Sequence, residues 1–257
     1  MTTKKLRAFL EAKVLEFNQP GFIPFDPISV PHRFTRRQDI EIAGLFAAIF
    51  AWGNRTTIIA KATELMQRMN NQPYEFCLQL NDTSRRQLEG FRHRTFTDTD
   101  LLYFVEFLHF HYNRSSTLET AFSKWMAPDD TTVAAGLNGF YQYFFSLEHV
   151  PQRTRKHIAS PGKKSACKRL NMYLRWMVRN DHQGVDFGIW KTIAPAQLVC
   201  PLDVHVARVA RRFNMLHRPA TDWEAALELT NYLRQLDPSD PVKFDFALFP
   251  LGAVERF

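Results

Sequence analysis

Two short stretches of the chain hold residue types that could do covalent chemistry. In CPLDVHVARVARRF, Cys200 to Phe213, a carboxylate at Asp203 stands at the entrance of a segment with a helical apolar rhythm. An aspartate there can cap the helix by accepting hydrogen bonds from first-turn amides. The same position keeps it ionised beside the positive helix end, where it could stabilise a cation or position a nucleophile. In SPGKKSACKRL, Ser160 to Leu170, a Pro-Gly turn precedes Lys163, Lys164 and Lys168. Lys164 and Lys168 are four apart, which predicts one shared helix face. Amides exposed after a Gly turn hold phosphate well, and a partly buried lysine can lose its proton and become an amine nucleophile. A solvated basic turn is the plain alternative.

The elements that must carry these residues read as helices. Leu6, Phe9, Leu10, Val14 and Phe17 recur at helical spacing over residues 3–17. The proline-broken stretch NQPGFIPFDPISVPHRF must turn or extend. In DIEIAGLFAAIFAWGNRTTIIAKATELMQRM the run Ile42 to Ile49 is nearly all apolar, which predicts a helix buried on most sides, and WGN interrupts before a second amphipathic helix. LLYFVEFLHFHYNR, LETAFSKWM and GLNGFYQYFFSLEHV continue the helical reading. From Arg153 to Lys168 a basic loop enters a helix whose apolar stripe is Leu170, Tyr173, Leu174 and Met177. VDFGIWKTIAPAQL reads as a connector, and three helical segments follow, with DPSDP a break. Alternating strand runs are nearly absent. The expectation is an all-α chain.

Composition bounds the function. The chain has 257 residues, 45% hydrophobic and 14% aromatic, with 23 Phe but only 10 Gly, which suits helix packing and excludes a disordered chain. A net charge of +7 favours an anionic partner, nucleic acid ahead of a membrane surface. Cys77, Cys167 and Cys200 are far apart and form no CxxC pair, so no cofactor, zinc site or iron–sulfur cluster is expected. The N-terminus lacks a signal-peptide core, and no apolar run approaches the roughly 18 residues of a membrane span. A reduced, cytoplasmic protein is the expectation.

The order of these pieces resembles a known superfamily. A lysine-bearing helix, a connector, then Pro-x-Asp-x-His opening a helix with Arg behind it is the order of the helix-hairpin-helix DNA glycosylases. GKKSACKRL is similar to the segment carrying the Schiff-base lysine in endonuclease III relatives, and CPLDVHVARVARRF to the segment carrying their catalytic aspartate. GLFAAIFAWGNRTTIIAKATELM resembles the helix–loop–helix whose polar residue wedges into DNA, and Asn54 falls near that position. The long connector between Lys168 and Asp203 is more like the archaeal 8-oxoguanine glycosylases. More broadly, AWGNR, KRLNMYLRWMVR, PLDVHV and DPVKFDFALFPLG together resemble an uncharacterised bacterial family, the domain of unknown function 2400. The hairpin is reduced to SPGKK, and the four-cysteine cluster loop is absent. The superfamily register selects Lys164 as the reactive lysine; the KRLN signature selects Lys168.

The resemblance implies a multi-helix, two-lobed bundle, with lobes at about 35–150 and at 151–257 plus the N-terminal helix, flanking a cleft. It implies base excision on double-stranded DNA, a hydrolase reaction of DNA repair, with Asp203 and Lys164 or Lys168 catalytic and a Schiff base permitting strand nicking. Trp52, Trp176 and Phe249 would line the base pocket. Asn54, Arg55, Arg153, Arg155, Lys156, Lys163, Arg169, Arg175 and His205 would contact DNA. Three rivals stand beside it: a non-catalytic nucleic-acid-binding protein on the same scaffold, an enzyme of another class with a metal or acid/base cluster of Asp203, His205 and Asp245, and a purely structural helical protein in which Asp203 is only a cap. If Asp245 is buried, it needs a partner, and an arginine from LRWMVR would serve.

Overall fold

The computed structural model describes residues 2–255 and 257. In chain order the helices are α1 (Thr3–Phe17), α2 (Arg37–Ile49), α3 (Arg55–Arg68), α4 (Pro73–Leu78), α5 (Asp82–Gln87), α6 (Asp98–Tyr112), α7 (Thr120–Ser123), α8 (Ala134–Phe144), α9 (Lys168–Val178), α10 (Val204–Arg212), α11 (Trp223–Leu236) and α12 (Asp245–Ala253). One small hairpin, β1 (Arg92–His93) with β2 (Phe96–Thr97), is antiparallel, pairing Arg92 with Thr97. The chain is all-α in class, and its proline-broken segment folds as three short 3-10 turns between Pro20 and Arg33. Among the described residues no helix is long and apolar enough to cross a membrane.

The chain divides into two compact units. One comprises Pro24–Met126 and Gly136–Ala159. Its centre is α2, on which every residue from Ile40 to Ile49 is buried, as the unbroken apolar run predicts. Phenylalanines fill the space around it: Phe46 meets Phe104 at 5.8 Å between ring centroids, Phe50 meets Phe96 at 5.1 Å, and Phe107 meets Phe144 at 4.6 Å. Edge-on and tilted pairs of this kind add to the area they bury. The buried Glu41 on α2 is compensated within this unit by Arg37 Nε at 3.1 Å, Tyr112 Oη at 2.9 Å and the Leu118 amide at 2.9 Å. Without those donors its charge would not tolerate burial.

The other unit comprises the chain up to Ile23, Ala127–Ala135 and Ser160–Phe257. Here α12 lies against α1 and α10. The packing with α10 is close because position 252 is glycine: a Cβ there would meet the His205 carbonyl oxygen at 2.7 Å and its carbonyl carbon at 3.0 Å. Leu6, Leu10 and Val14 of α1 are buried, which is the stripe its sequence spacing indicates. At the C-terminal end of α9 the buried Arg179 gathers three carboxylates. Arg179 Nη1 donates to Asp186, its Nε lies 2.9 Å from Asp240 Oδ1, and its Nη2 lies 2.8 Å from Asp181 Oδ2. The three carboxylates offset the burial of this guanidinium and hold it above its ordinary range.

Candidate active site

Two left-handed residues separate Lys164 from the helix that carries Lys168. Lys164 has φ 58° and Cys167 has φ 51°, so the chain reverses twice before α9 begins at Lys168. Lys164 therefore lies outside the helix, exposed, and the shared helix face expected for Lys164 and Lys168 does not exist. Non-glycine residues rarely adopt this backbone region, and nothing in KKSACK marks it. Ser165, between the two, forms a bridge with Asp222 instead.

Lys168 opens α9, and its Nζ lies 3.8 Å from Asp203 Oδ2. Their side chains are 25% and 20% exposed, so both are reachable while largely shielded. Asp203 is the N-cap of α10. Its Oδ1 accepts from the amides of His205 and Val206, both at 2.9 Å. Capping and a chemical role are not exclusive here, because Oδ1 serves the helix and Oδ2 faces the amine. The cap fixes the carboxylate's orientation and is worth about 1 kcal/mol.

A second acidic group lies near enough to feel the charges of this pair. Asp245, the first residue of α12, is buried and accepts from Arg175 Nη1. Arg175 also reaches Asp186 Oδ1 at 3.3 Å through Nε. Burial pushes the Asp245 carboxyl up to about 6; Arg175 and Lys168 oppose that shift, and the Asp203 charge adds to it. One turn along α12, the Phe249 ring centroid is 5.9 Å from Lys168 Nζ. Two faces are thus tied: Lys168 and Arg175 on α9, Phe249 and Asp245 on α12.

The remaining expected contacts sort by exposure. Arg175, read as a phosphate contact, is buried and committed to Asp186 and Asp245, so it is closed to DNA. Trp176, read as a pocket wall, is fully buried; it is core, and its Nε1 has no hydrogen-bond partner. Phe249 is half-buried beside the lysine. Trp52, in the other unit, is half-buried against the rings of His93 and His157. Asn54 caps α3, accepting from the Thr57 amide at 3.1 Å, and Arg55 opens that helix. Arg153 is exposed and donates to the Thr95 carbonyl at 3.1 Å, with Asp100 Oδ2 at 3.4 Å from its Nη2. Arg155 lies over the Phe145 ring at 4.9 Å, and Lys156 and Lys163 are exposed. Arg169 is half-buried, and burial pushes its guanidinium down to about 10. His205 presents its main chain to Gly252, and its buried Nδ1 has no hydrogen-bond partner.

Other nucleophiles and ligands are weaker. Burial pushes the Cys167 thiol up to about 12 and raises Cys77 and Cys200 as well, which keeps all three as unreactive thiols at neutral pH. Among the described residues no group of three or more His, Cys, Asp or Glu could hold a metal ion, Asp203, His205 and Asp245 included.

Residues 26–254 match the family described as "Protein of unknown function (DUF2400)". The chain belongs to that family. Neither a curated protein nor a solved structure is significantly similar to it. The DUF2400 match takes in Lys168, Asp203 and Asp245, while α1 lies outside it.

Proposed function

We propose that this chain is a DNA-glycosylase-like enzyme that removes a base from damaged DNA with Lys168 as nucleophile. The observation that carries the reading is the 3.8 Å approach of Lys168 Nζ to Asp203 Oδ2 at the partly exposed entrance of α10. An amine and an oriented carboxylate are the two groups that displacement at a sugar carbon needs. The Lys168 nitrogen, having shed a proton, gives its lone pair to C1′. The C1′–N glycosidic bond breaks, and the base leaves with the bonding pair and takes up a proton. Asp203, held by two amides, stabilises the positive charge that builds on the sugar in between. Opening of the sugar ring leaves a Schiff base on Lys168, from which the strand can be nicked.

The net charge of +7 supports an anionic substrate, and the exposed Lys163, in the unit that carries Lys168 and Asp203, is suited to a backbone phosphate. A damaged or abasic nucleotide is the natural substrate class, because a base that pairs poorly costs least to turn out of the stack.

The test is a panel of duplexes bearing uracil, 8-oxoguanine or an abasic site, incubated with the protein and quenched with borohydride. Base release or nicking from at least one, abolished in Lys168→Ala and Asp203→Asn, is expected. Retarded mobility of the duplexes with no processing of any would overturn the enzyme reading. It would leave a nucleic-acid-binding protein on this scaffold.

A further inference from the structure

A groove on the unit of Pro24–Met126 and Gly136–Ala159 is lined wholly by residues of that unit. Its floor is the outer face of α3, where Thr56, Ala60 and Thr63 follow one another at helical spacing. The other face of α3, with Ile58, Ala62, Leu65 and Met66, is buried in the core. Phe25 and Arg33 help to complete the lining, and the volume is about 700 Å3. We propose that this groove binds a nucleotide, its base on the Phe25 ring and its phosphate on the guanidiniums of Arg33 and Arg55. The inference goes beyond the excision chemistry and does not depend on it.

The turns beside α3 keep Phe25 at the groove and out of the core. Pro27–Ser29 is a 3-10 turn packed against α3. Asp26 caps it, its Oδ1 accepting from the Ile28 amide at 3.1 Å, and Pro27 and Ile28 are buried. The phenylalanine just before this anchored turn is 69% exposed, and its ring has no aromatic partner among the described residues. A flat ring that lines a groove and stays open to water is a platform on which a base can stack.

The charges of the lining favour an anion. Among the described residues that line the groove, Glu64 is the one carboxylate. It is committed to its own helix, with Lys61 Nζ at 2.7 Å and Arg68 Nη2 at 3.0 Å. Arg33 is exposed, and among the described residues its guanidinium has no ion pair or hydrogen bond. Arg55 opens α3, so the positive end of that helix adds to the field there. Thr63 lines the groove as well, and its Oγ1 has no hydrogen-bond partner. A guanidinium fork matches phosphate oxygens in a way that a point charge does not. The volume falls within the roughly 300–1,000 Å3 of small-ligand sites. A nucleotide is the compact anion that carries both a flat ring and a phosphate.

The experiment uses the intact chain with 13C-labelled isoleucine methyl groups, read by NMR. Ile59 lines the groove, and its signal is assigned by its loss in Ile59→Val. At fixed ionic strength the chain is titrated with deoxyadenosine monophosphate, a single-stranded tetradeoxyadenylate, deoxyadenosine and inorganic phosphate. The mononucleotide or the strand should move the Ile59 signal at a midpoint about tenfold or more below those of deoxyadenosine and phosphate, since each fragment makes only part of the contacts. A strand midpoint about tenfold or more below that of the mononucleotide assigns the site to a nucleotide within a single strand; a smaller gain assigns it to a free nucleotide, and both support the proposal. Phe25→Ala should raise the midpoint about tenfold through lost stacking, and Arg33→Gln about tenfold through the lost phosphate contact. Both side chains are exposed, so neither variant should disturb the fold. An Ile59 signal unmoved by mononucleotide and strand overturns the proposal. So does inorganic phosphate acting at the nucleotide's midpoint, and so does either variant binding like wild type. The titration involves no trapping step, so its failure leaves the excision reading standing, and a missing borohydride adduct leaves this groove standing.

Discussion

Replacing Arg175 with methionine tests whether this side chain serves the interior or a ligand. Methionine keeps most of the length and fills the same space without charge. Asp186 retains Arg179 as a partner, but Asp245 loses the only guanidinium hydrogen-bonded to it among the described residues. Removing one member of a buried pair costs roughly 3–5 kcal/mol. At ~2–4 °C per kcal/mol for a chain of this size, the melting temperature at pH 8 should drop by about 10 °C. The loss must depend on pH. The folded-state carboxyl of Asp245 is already raised to about 6 from 3.8. A raised carboxyl costs stability where it is ionised, above about pH 6, and that cost fades as pH falls towards 4. The shift corresponds to about 3 kcal/mol across that window. Without Arg175 the carboxyl rises further, so the variant's deficit should be largest at pH 8 and visibly smaller at pH 5. Adding Asp245→Asn to Arg175→Met should recover part of the loss at pH 8. Thermal melts of wild type and the two variants at both pH values provide the check. An equal deficit at pH 5 and pH 8, or no recovery in the double variant, refutes the buried-pair argument. A variant as stable as wild type but weakened in DNA binding would return Arg175 to the surface.

The other outcomes follow from the same contacts. Asp203→Asn keeps an N-cap acceptor and should unfold within about 0.5 kcal/mol of wild type, whereas Asp203→Ala should lose about 1 kcal/mol by denaturant titration; both should abolish base release. Gly252→Ala puts a Cβ 2.7 Å from the His205 carbonyl oxygen, a backbone atom that cannot swing away. Overpacking should cost about 1–3 kcal/mol and displace the entrance of α10, so catalysis should fall with stability. DNA affinity should weaken steeply between 50 mM and 200 mM salt, about tenfold for each pair of phosphates neutralised, as followed by fluorescence anisotropy; a flat profile would argue against backbone contacts.

Much of the scaffold is written locally. The run Ile42 to Ile49 can only be a buried helix, and it is. DVHV announces a cap, and Asp203 makes it. Where sequence reasoning failed, the decisive partner was distant or the backbone unusual. Arg175 sits among the apolar neighbours Leu174, Trp176 and Met177, and one of the carboxylates it pairs with is 70 residues away. The expectation that a buried Asp245 would need an arginine from that very segment was the stronger clue, because burial of a charge dictates pairing. The i, i+4 spacing of Lys164 and Lys168 predicts one helix face, but the left-handed turns at Lys164 and Cys167 carry no glycine to signal them. The resemblance implies a pocket role for Trp176, but its ring is fully buried on α9 and belongs to the core. The hairpin at Arg92–Thr97 has strands of two residues, too short for any alternation to register.

The central claim is that one particular nitrogen is the nucleophile. Borohydride trapping on abasic-site DNA, followed by protease digestion and mass spectrometry of the cross-linked peptide, identifies the nitrogen that reacted. The account predicts a single adduct on Lys168, retained in Lys164→Ala and lost in Lys168→Ala. An adduct on Lys164, or none from the wild-type chain on any substrate, would contradict it.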